Sequence, residues 1–363
     1  MQLAFKESLL YKREMLDLPE SLVKGGKPVF GTFKGHPELF DIRGIYRPFG
    51  VFPLPTFITD WRIKNRLIFT FKVGSCVGRV SFVDAQVVDY MEILLWNRAT
   101  GQKYAYHSLL LPRKNFVPDN MEKGSACNYL TGRYARIGWN RAKNKLSVVL
   151  DLKGDAERPF VRASFTGSYD EQFAELVSVR PDGSFKRSRA NYNSMMPLKG
   201  HIIMLYKNGE TKTMSDTKGL GAFDITKSFI KFRSRGKSIL GFGEVKGKAI
   251  TFRMAAESEG AVAADEYNCN VLFYDGKATP LPPVVISHYR GIYKNWVIQD
   301  TENMVDLTFT PTSIVVSSVN AFVVRTVYQT MLGYFEGTVM TADGEKVSFK
   351  SLTGLTETYL IRL

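Results

Sequence analysis

Four turn dipeptides constrain the fold of this 363-residue chain more than any other feature of its sequence. They are Asp182-Gly183, Asn208-Gly209, Asp275-Gly276 and Asp343-Gly344. Asp-Gly and Asn-Gly favour the positive φ angles that two-residue hairpin turns require, because glycine has no Cβ and Asn and Asp tolerate the left-handed backbone. Each dipeptide separates segments rich in β-branched and aromatic residues. The sequence therefore predicts antiparallel hairpins.

Strand patterns surround these turns, whereas helical periodicity is scarce. The clearest strand patterns are RLIFTFKV (66–73), KLSVVLDL (145–152), KAITFRMA (248–255), NVLFYDG (270–276), VDLTFTP (305–311) and SIVVSSV (313–319). The opening LAFKESLLYKREML (3–16) predicts one amphipathic helix, and YDEQFAELV (169–177) predicts about two helical turns.

The number of strands and the length of the chain indicate the architecture. Many short strands joined by tight hairpins predict an all-β fold of antiparallel sheets. Such sheets must protect their edges, and closure into a barrel removes the edges altogether. A barrel of eight to ten strands takes roughly 150–180 residues. We therefore expect two barrels, with the polar stretch 180–194 as the join, so that residues 1–189 form one domain and 190–363 the other.

An excess of basic residues is the unusual feature of the composition. Lys and Arg outnumber Asp and Glu by 49 to 35, which gives a formal net charge of +14. This charge predicts attraction to anionic partners such as phospholipid, nucleic acid or an acidic protein, and it fits a solubilising surface equally well. No apolar run is long enough for a membrane helix, and the stretch MQLAFKESLLYKREML (1–16) has charges where a secretory signal needs an unbroken apolar run, so we expect a cytoplasmic protein.

Three basic clusters resemble nucleic-acid patches. They are WRIKNR (61–66), KRSR (186–189) and KFRSRGK (231–237). Single-strand binders interleave such charges with aromatic residues for base stacking, and here that interleaving is only partial. Solvated sheet faces are the favoured alternative, and we do not expect a nucleic-acid partner.

The sequence contains no signature of a cofactor or a metal. Cys76, Cys127 and Cys269 are widely spaced and odd in number, which indicates buried thiols in a reducing compartment. The four histidines are scattered, and the sequence has no dinucleotide, P-loop, zinc-protease or nucleophile-elbow motif. We therefore predict neither a cofactor nor a metal site.

Asp224 is the candidate catalytic residue. It lies in KGLGAFDITKSFIKF (218–232), between Phe223 and Ile225. A carboxyl group in an apolar barrel interior keeps its proton near neutral pH and can donate it to an apolar substrate. The alternative is an ordinary strand residue that hydrogen-bonds a neighbouring turn. Lys227 close by would keep an exposed carboxyl ionised, which is the wrong state for an acid.

Polar and aromatic residues within apolar strands are the candidate ligand contacts. Asn270 and Glu357 either face a cavity or satisfy buried backbone groups. Trp296, one of four tryptophans, either lines a pocket or belongs to the core, and Tyr192 is a further candidate.

The order of five short motifs resembles a known family. The motifs are YNSMMPLKGHIIM, GLGAFDITK, NVLFYDGKATPL, NMVDLTFTPT and GYFEGTVMTADGEKVSFKSLTGLTETYL. In this order they resemble the domain of unknown function 2804 family, whose members look like distant relatives of hydroxyneurosporene synthase, the carotenoid hydratase, and of survival-factor-like proteins. The resemblance covers the C-terminal half best. It implies two lipocalin-like β-barrels side by side, and a long apolar ligand.

The resemblance also implies a role for Asp224. In the hydratase relatives an acidic residue follows a short step of small and aromatic residues, and GAFD places Asp224 at that position. Those enzymes continue with a histidine where this chain has Ile225, and Cys269 stands where the closer family often has glutamate.

Together these observations predict a binding protein for a hydrophobic small molecule, lipid or isoprenoid-like, that acts as a carrier or sensor. Its basic exterior would allow peripheral contact with an anionic membrane. The alternative is a hydratase, isomerase or cyclase that acts on an apolar substrate, with Asp224 as the proton donor.

Overall fold

The computed structural model describes residues 13–362 except 51–53, 114–115, 171–172, 230–232, 257–261, 290 and 322–323, together with the side chains outside 319–324. The predicted N-terminal helix at 3–16 lies almost entirely outside the described residues. Leu16, at its end, forms an isolated β-bridge with Phe33. Within the described residues there is one short α-helix, α1 (Thr56–Asp60), and one 3₁₀ turn, Arg141–Lys143. No helix in this part of the chain is long and apolar enough to cross a membrane.

All other regular structure is β-strand. In the first half of the chain the strands are β1 (Val23–Lys24), β2 (Lys27–Pro28), β3 (Gly31–Lys34), β4 (Ile63–Val73), β5 (Cys76–Asp84), β6 (Asp89–Asn97), β7 (Lys103–Leu110), β8 (Lys123–Asn128), β9 (Arg133–Asn140), β10 (Lys145–Leu152), β11 (Phe160–Gly167) and β12 (Ala174–Pro181). In the second half they are β13 (Ser188–Leu205), β14 (Thr211–Phe229), β15 (Arg233–Val245), β16 (Lys248–Ala256), β17 (Val271–Tyr274), β18 (Lys277–Pro280), β19 (Val285–His288), β20 (Trp296–Gln299), β21 (Val305–Ala321), β22 (Val324–Met340) and β23 (Lys346–Arg362).

Strands β1 and β2 pair with each other, and the other strands form two large curled antiparallel sheets, which confirms the predicted all-β, twin lipocalin-like fold. The first sheet has 12 strands in the order β7-β6-β5-β4-β14-β13-β11-β10-β9-β8, with β12 pairing both β13 and β3. The second has nine strands in the order β18-β17-β16-β15-β23-β22-β21-β20-β19. The domain boundary predicted at 189/190 falls at the start of β13, and the strands change from the first sheet to the second between Phe229 and Arg233.

The predicted hairpins form at all four turn dipeptides, which join β12 to β13, β13 to β14, β17 to β18 and β22 to β23. At Asp275-Gly276 both residues have positive φ, 53° and 73°, as a two-residue turn of this kind requires.

One local expectation was wrong, and two predicted strand patterns proved to be parts of the same strand. The helical turns predicted at 169–177 are absent from the described part of that segment, because Ala174 begins β12, whose backbone groups bond to β3 and β13. The patterns at 305–311 and 313–319 belong to one long strand, β21. Its register shifts between Pro311 and Ser313, and pairing with β22 continues on both sides of this bulge.

Aromatic side chains fill the middle of each sheet's concave side. In the second sheet Gly241, Gly354 and Gly333 lie side by side on β15, β23 and β22. The rings of Phe252 and Phe335 occupy the space that a Cβ of Gly241 or Gly354 would take, and the Thr310 carbonyl oxygen and the Phe309 ring lie over Gly333. In the first sheet the Phe71 ring lies over Gly78 and the Phe69 ring over Gly221. Both interiors are therefore packed with aromatic rings at mid-height.

A third apolar layer joins the two sheets. It includes Val77, Leu94 and Trp96 from the first sheet, with Leu240, Phe242, Phe273 and Leu332 from the second. The rings of Trp96 and Tyr334 meet across this layer with centroids 5.8 Å apart. The sheets thus pack directly against each other.

Candidate functional site

Buried charges cross the layer between the sheets. The Arg66 guanidinium on β4 donates to both carboxylate oxygens of Glu357 on β23, at 3.1 and 3.3 Å. Arg79 on β5 donates to Glu357 Oε2 at 2.6 Å and to Glu92 Oε1 at 3.0 Å. The positive charges of Arg66 and Arg79 hold the pKa of Glu357 at about 2, against the opposing effect of its burial. Glu357 therefore stays ionised and ties the two sheets together.

Asp224 lies in the same layer. Because side chains alternate along β14, Phe223 and Ile225 point into the first core while Asp224 points towards the second sheet. Its carboxylate forms an ion pair with Arg253 of β16 and accepts a hydrogen bond from Asn193 Nδ2 at 2.7 Å. Burial raises the pKa of Asp224, and Arg253 opposes that rise.

Lys227 lies on the opposite face of β14, where it forms an ion pair with Asp119. It lines a polar pocket of about 160 Å³ at one end of the first sheet, together with Asn65, Asp84 and other charged residues. Asp89 lies on β6, opposite Asp84 of β5. Burial and the charge of Asp84 raise the pKa of Asp89 to about 7. This pocket is polar and small, and it does not suit an apolar guest.

A cavity of about 710 Å³ lies at one end of the second sheet. Its walls come from the start of β15, the ends of β16 and β23, β19, and the segments 264–270 and 283–284. Apolar side chains supply much of the surface, among them Val284, Ile286 and Leu360, and Tyr267 and Tyr359 add two aromatic rings. This volume is within the range of small-molecule sites, roughly 300–1,000 Å³.

The charged residues that line this cavity are, in the described part of the chain, all basic. Its lining contains Arg180, Arg233, Arg235 and Lys237 but, among the described residues, no aspartate or glutamate. Lys237 Nζ donates to the Ile286 carbonyl oxygen at 2.9 Å. Burial lowers the pKa of Lys237, which is the expected effect when an ammonium group loses part of its hydration. An anionic group in the cavity would interact favourably with the Lys237 ammonium.

Of the five predicted site residues, Asn270 is the one that lines this cavity. Its side-chain oxygen accepts from the Ala255 backbone N–H at 2.8 Å, and its Nδ2 donates to the Pro282 carbonyl at 2.8 Å. Trp296 is fully buried in the second core, and its Nε1 donates to Ile292. Tyr192 is buried in the first core, where its hydroxyl donates to Glu175 and accepts from Arg141. Glu357 and Asp224 lie between the sheets, as described above.

Sequence reasoning missed the cations of the cavity, although a signal for them was present. In KFRSRGK (231–237), Arg233, Arg235 and Lys237 alternate with small residues, and a period of two places all three on one face of a strand. Lys237 shares that face with Ile239, which belongs to the second core. Arg233, Arg235 and Lys237 of this basic cluster line the cavity.

The fold and the cavity together define a class: a twin lipocalin-like β-protein with a large pocket at one end of its second sheet. Residues 61–363 match the family model described as Domain of unknown function (DUF2804). The chain belongs to that family, which confirms the resemblance found in its motifs. A comparison with the curated proteins finds no match.

Three solved structures align with this chain at low sequence identity. A candidate AttH protein from Nitrosomonas europaea aligns with a TM-score of 0.51 and 10% identity, over 86% of this chain and 97% of that one. CghA aligns with a TM-score of 0.48 and 12% identity, over 92% and 98% of the two chains. Kievitone hydratase from Nectria haematococca aligns with a TM-score of 0.43 and 9% identity, over 82% and 88%. The likeness to the AttH protein shows a shared fold and nothing more.

Proposed function

We propose that this protein binds an apolar small molecule, lipid or isoprenoid-like, with an anionic head group, and that the ligand occupies the 710 Å³ cavity. The observation that carries the proposal is the composition of the lining, in which apolar side chains are combined with four cations and, among the described residues, no carboxylate. An acyl or isoprenoid chain would bury its surface against the apolar wall, and a carboxylate or phosphate would meet the cations.

The physical chemistry divides the binding free energy into two parts. Removing apolar surface from water contributes about 25 cal/mol per Å² to the binding free energy. This contribution gives affinity, but it discriminates poorly between one apolar ligand and another. A charge-assisted hydrogen bond to a buried cation contributes about 1.5–3 kcal/mol and distinguishes an acid from its neutral counterpart. Lys237 is placed for this role because its ammonium group is held against the cavity wall by Ile286.

Filling the cavity should abolish ligand uptake. Ala256 lies at the end of β16 on the cavity wall, and tryptophan at this position would occupy space that the ligand needs. We expect Ala256→Trp to lower the affinity for cis-parinaric acid, a fluorescent fatty acid, by at least about tenfold. A fluorescence titration measures this affinity, and mass spectrometry of solvent-extracted protein shows whether a lipid is carried from the expression host.

Thr310→Trp is the matched control for this test, because Thr310 is an exposed residue elsewhere on the same sheet. Its affinity should equal that of the wild type. Saturable uptake that is unchanged in Ala256→Trp would place the ligand elsewhere, and the absence of saturable uptake by the wild type would remove the proposal.

Removing the Lys237 charge should weaken the binding of acids selectively. Lys237→Met keeps most of the apolar stem and removes the ammonium group. We expect the affinity for cis-parinaric acid to fall about 10- to 100-fold, while the affinity for its methyl ester changes less than about threefold. Equal losses for acid and ester in parallel titrations would show that Lys237 does not contact the head group.

The catalytic role considered for Asp224 stays a prediction. Asp224 does not line the cavity, and its carboxylate is engaged by Arg253 and Asn193. A proton donor for an apolar substrate must reach that substrate, so the geometry favours binding over turnover.

A further inference from the structure

Helix α1 exposes its apolar face instead of burying it. Phe57 and Ile58 lie on α1, and Trp61 is its C-cap residue, so Phe57 and Trp61, four residues apart, share one side of the helix. Leu54 lies in the extended segment just before the helix. All four are exposed, with 74% of Phe57 and 49% of Trp61 accessible to solvent. A surface helix normally turns such a stripe towards the core, so an outward stripe of this kind marks an interaction surface.

Cations border this apolar face. The guanidinium groups of Arg62 and Arg187 both lie over the ring of Phe49, with Cζ atoms 5.1 and 5.5 Å from its centroid. Their like charges repel, and the charge of Arg187, together with burial, lowers the pKa of Arg62. Arg187 belongs to the β12–β13 turn, in which Phe185 and Lys186 are also exposed.

The one carboxylate on α1 is directed to local backbone. Asp60 accepts a hydrogen bond from the Gly44 N–H at 3.2 Å. We define the docking face as Leu54, Phe57, Ile58, Trp61, Phe185, Lys186 and the Arg62–Arg187 pair. It combines large apolar and aromatic side chains with a net positive rim, on a protein whose total charge is +14.

We propose that the docking face binds the surface of an anionic phospholipid bilayer. Trp and Phe side chains insert favourably at the boundary between head groups and acyl chains. Basic residues at an anionic membrane surface add about 1 kcal/mol each. A protein partner would satisfy the apolar residues, but the excess of cations around them matches a surface of negative charge.

Neighbouring and shared residues connect the docking face to the cavity. Helix α1 leads into β4, and the Lys64 ammonium lies 5.1 Å from the Trp61 ring centroid. Lys64 also lines a cleft of about 100 Å³ between the sheets, whose wall includes Tyr359. Tyr359 lines the 710 Å³ cavity as well. A bilayer at the docking face would therefore lie at the end of the molecule where the cavity is found.

Vesicle flotation tests the proposal directly. The wild-type protein should float with vesicles of phosphatidylcholine and phosphatidylserine and remain in solution with vesicles of phosphatidylcholine alone. Raising the salt concentration should weaken this flotation, because salt screens the charge contribution. The double variant Phe57→Ser/Trp61→Ser should lower the partition into anionic vesicles by at least about tenfold, since two side chains lose their apolar contact with lipid.

Leu205→Ser is the matched control, because Leu205 is 44% exposed at the opposite end of β13 from the docking face. It should float like the wild type. Ala256→Trp should also float normally, which separates membrane docking from occupancy of the cavity.

Three results would overturn the proposal. They are the absence of wild-type flotation with anionic vesicles, equal flotation with neutral vesicles, and undiminished flotation of the double variant. A concentration-dependent dimer that the double variant abolishes, seen by light scattering without any flotation, would assign the face to a second copy of the chain instead.

Discussion

Replacing Glu357 with glutamine should lower the free energy of unfolding by about 3–5 kcal/mol near pH 7. The substitution keeps the shape of the side chain but leaves the Arg66 and Arg79 guanidiniums without the carboxylate they share between the sheets. Glu92 still pairs with Arg79, so one positive charge loses its partner. Urea denaturation followed by circular dichroism measures the effect.

The same substitution has a defined pH dependence. The folded-state pKa of Glu357, about 2, is below the value of about 4.3 expected in the unfolded chain. The stability that the carboxylate contributes is therefore fully present above about pH 4.3 and is lost as the pH falls towards 2. The difference between wild type and Glu357→Gln should be constant at neutral pH and should shrink in that acidic window.

Asp151→Asn is the control for the glutamate variant. Asp151 pairs with Arg162 at 3.2 Å, but the two side chains are 41% and 63% exposed. Exposed pairs contribute about 0–1 kcal/mol, so this variant should stay within that range. Equal losses for the two variants, or a Glu357→Gln protein as stable as the wild type, would contradict the role assigned to the buried network.

Replacing Gly354 with alanine should destabilise the second sheet by about 3 kcal/mol. A methyl group at this position would overlap the Phe335 ring and lie 2.6 Å from the Leu240 carbonyl oxygen. Neither can yield easily, because Phe335 is fully buried and Leu240 belongs to the adjacent strand β15. Differential scanning calorimetry should show a lower melting temperature and a reduced unfolding enthalpy.

Gly138→Ala provides the comparison. Gly138 is also a strand residue, but a methyl group there would meet its nearest neighbours at 3.5 and 3.6 Å, which is ordinary contact. Its stability should change by less than about 1 kcal/mol. A Gly354→Ala protein that matches Gly138→Ala would mean that the ring of Phe335 is free to move aside.

Local features of the sequence were predictable because their causes are local. The geometry at Asp275-Gly276 depends on which residues tolerate positive φ, and the hairpin formed as expected. The pattern at 305–319 shows the limit of this reasoning. Pro311 lacks an N–H, yet β22 pairs with β21 on both sides of it, so the two patterns form one continuous strand.

The candidate site was harder to predict because it depends on contacts between distant parts of the chain. The alternation of side chains along β14 correctly places Asp224 on the opposite face from Phe223 and Ile225. Alternation does not decide which of the two faces packs into the first core and which faces the second sheet. The partner of Asp224, Arg253, belongs to a strand of the other sheet. Lys237 likewise faces a cavity only because the ends of β16, β19 and β23 surround it.

The sequence by itself determined the all-β class, the hairpins at the four turn dipeptides and the family, because these depend on residue types at short range. The tertiary structure alone decided that the two cores are filled by aromatic rings at mid-height, that Asp224 and Glu357 lie between the sheets, and that the open space lies at one end of the second sheet. These outcomes depend on how two curled sheets pack together, and that packing is set by side chains far apart in the chain.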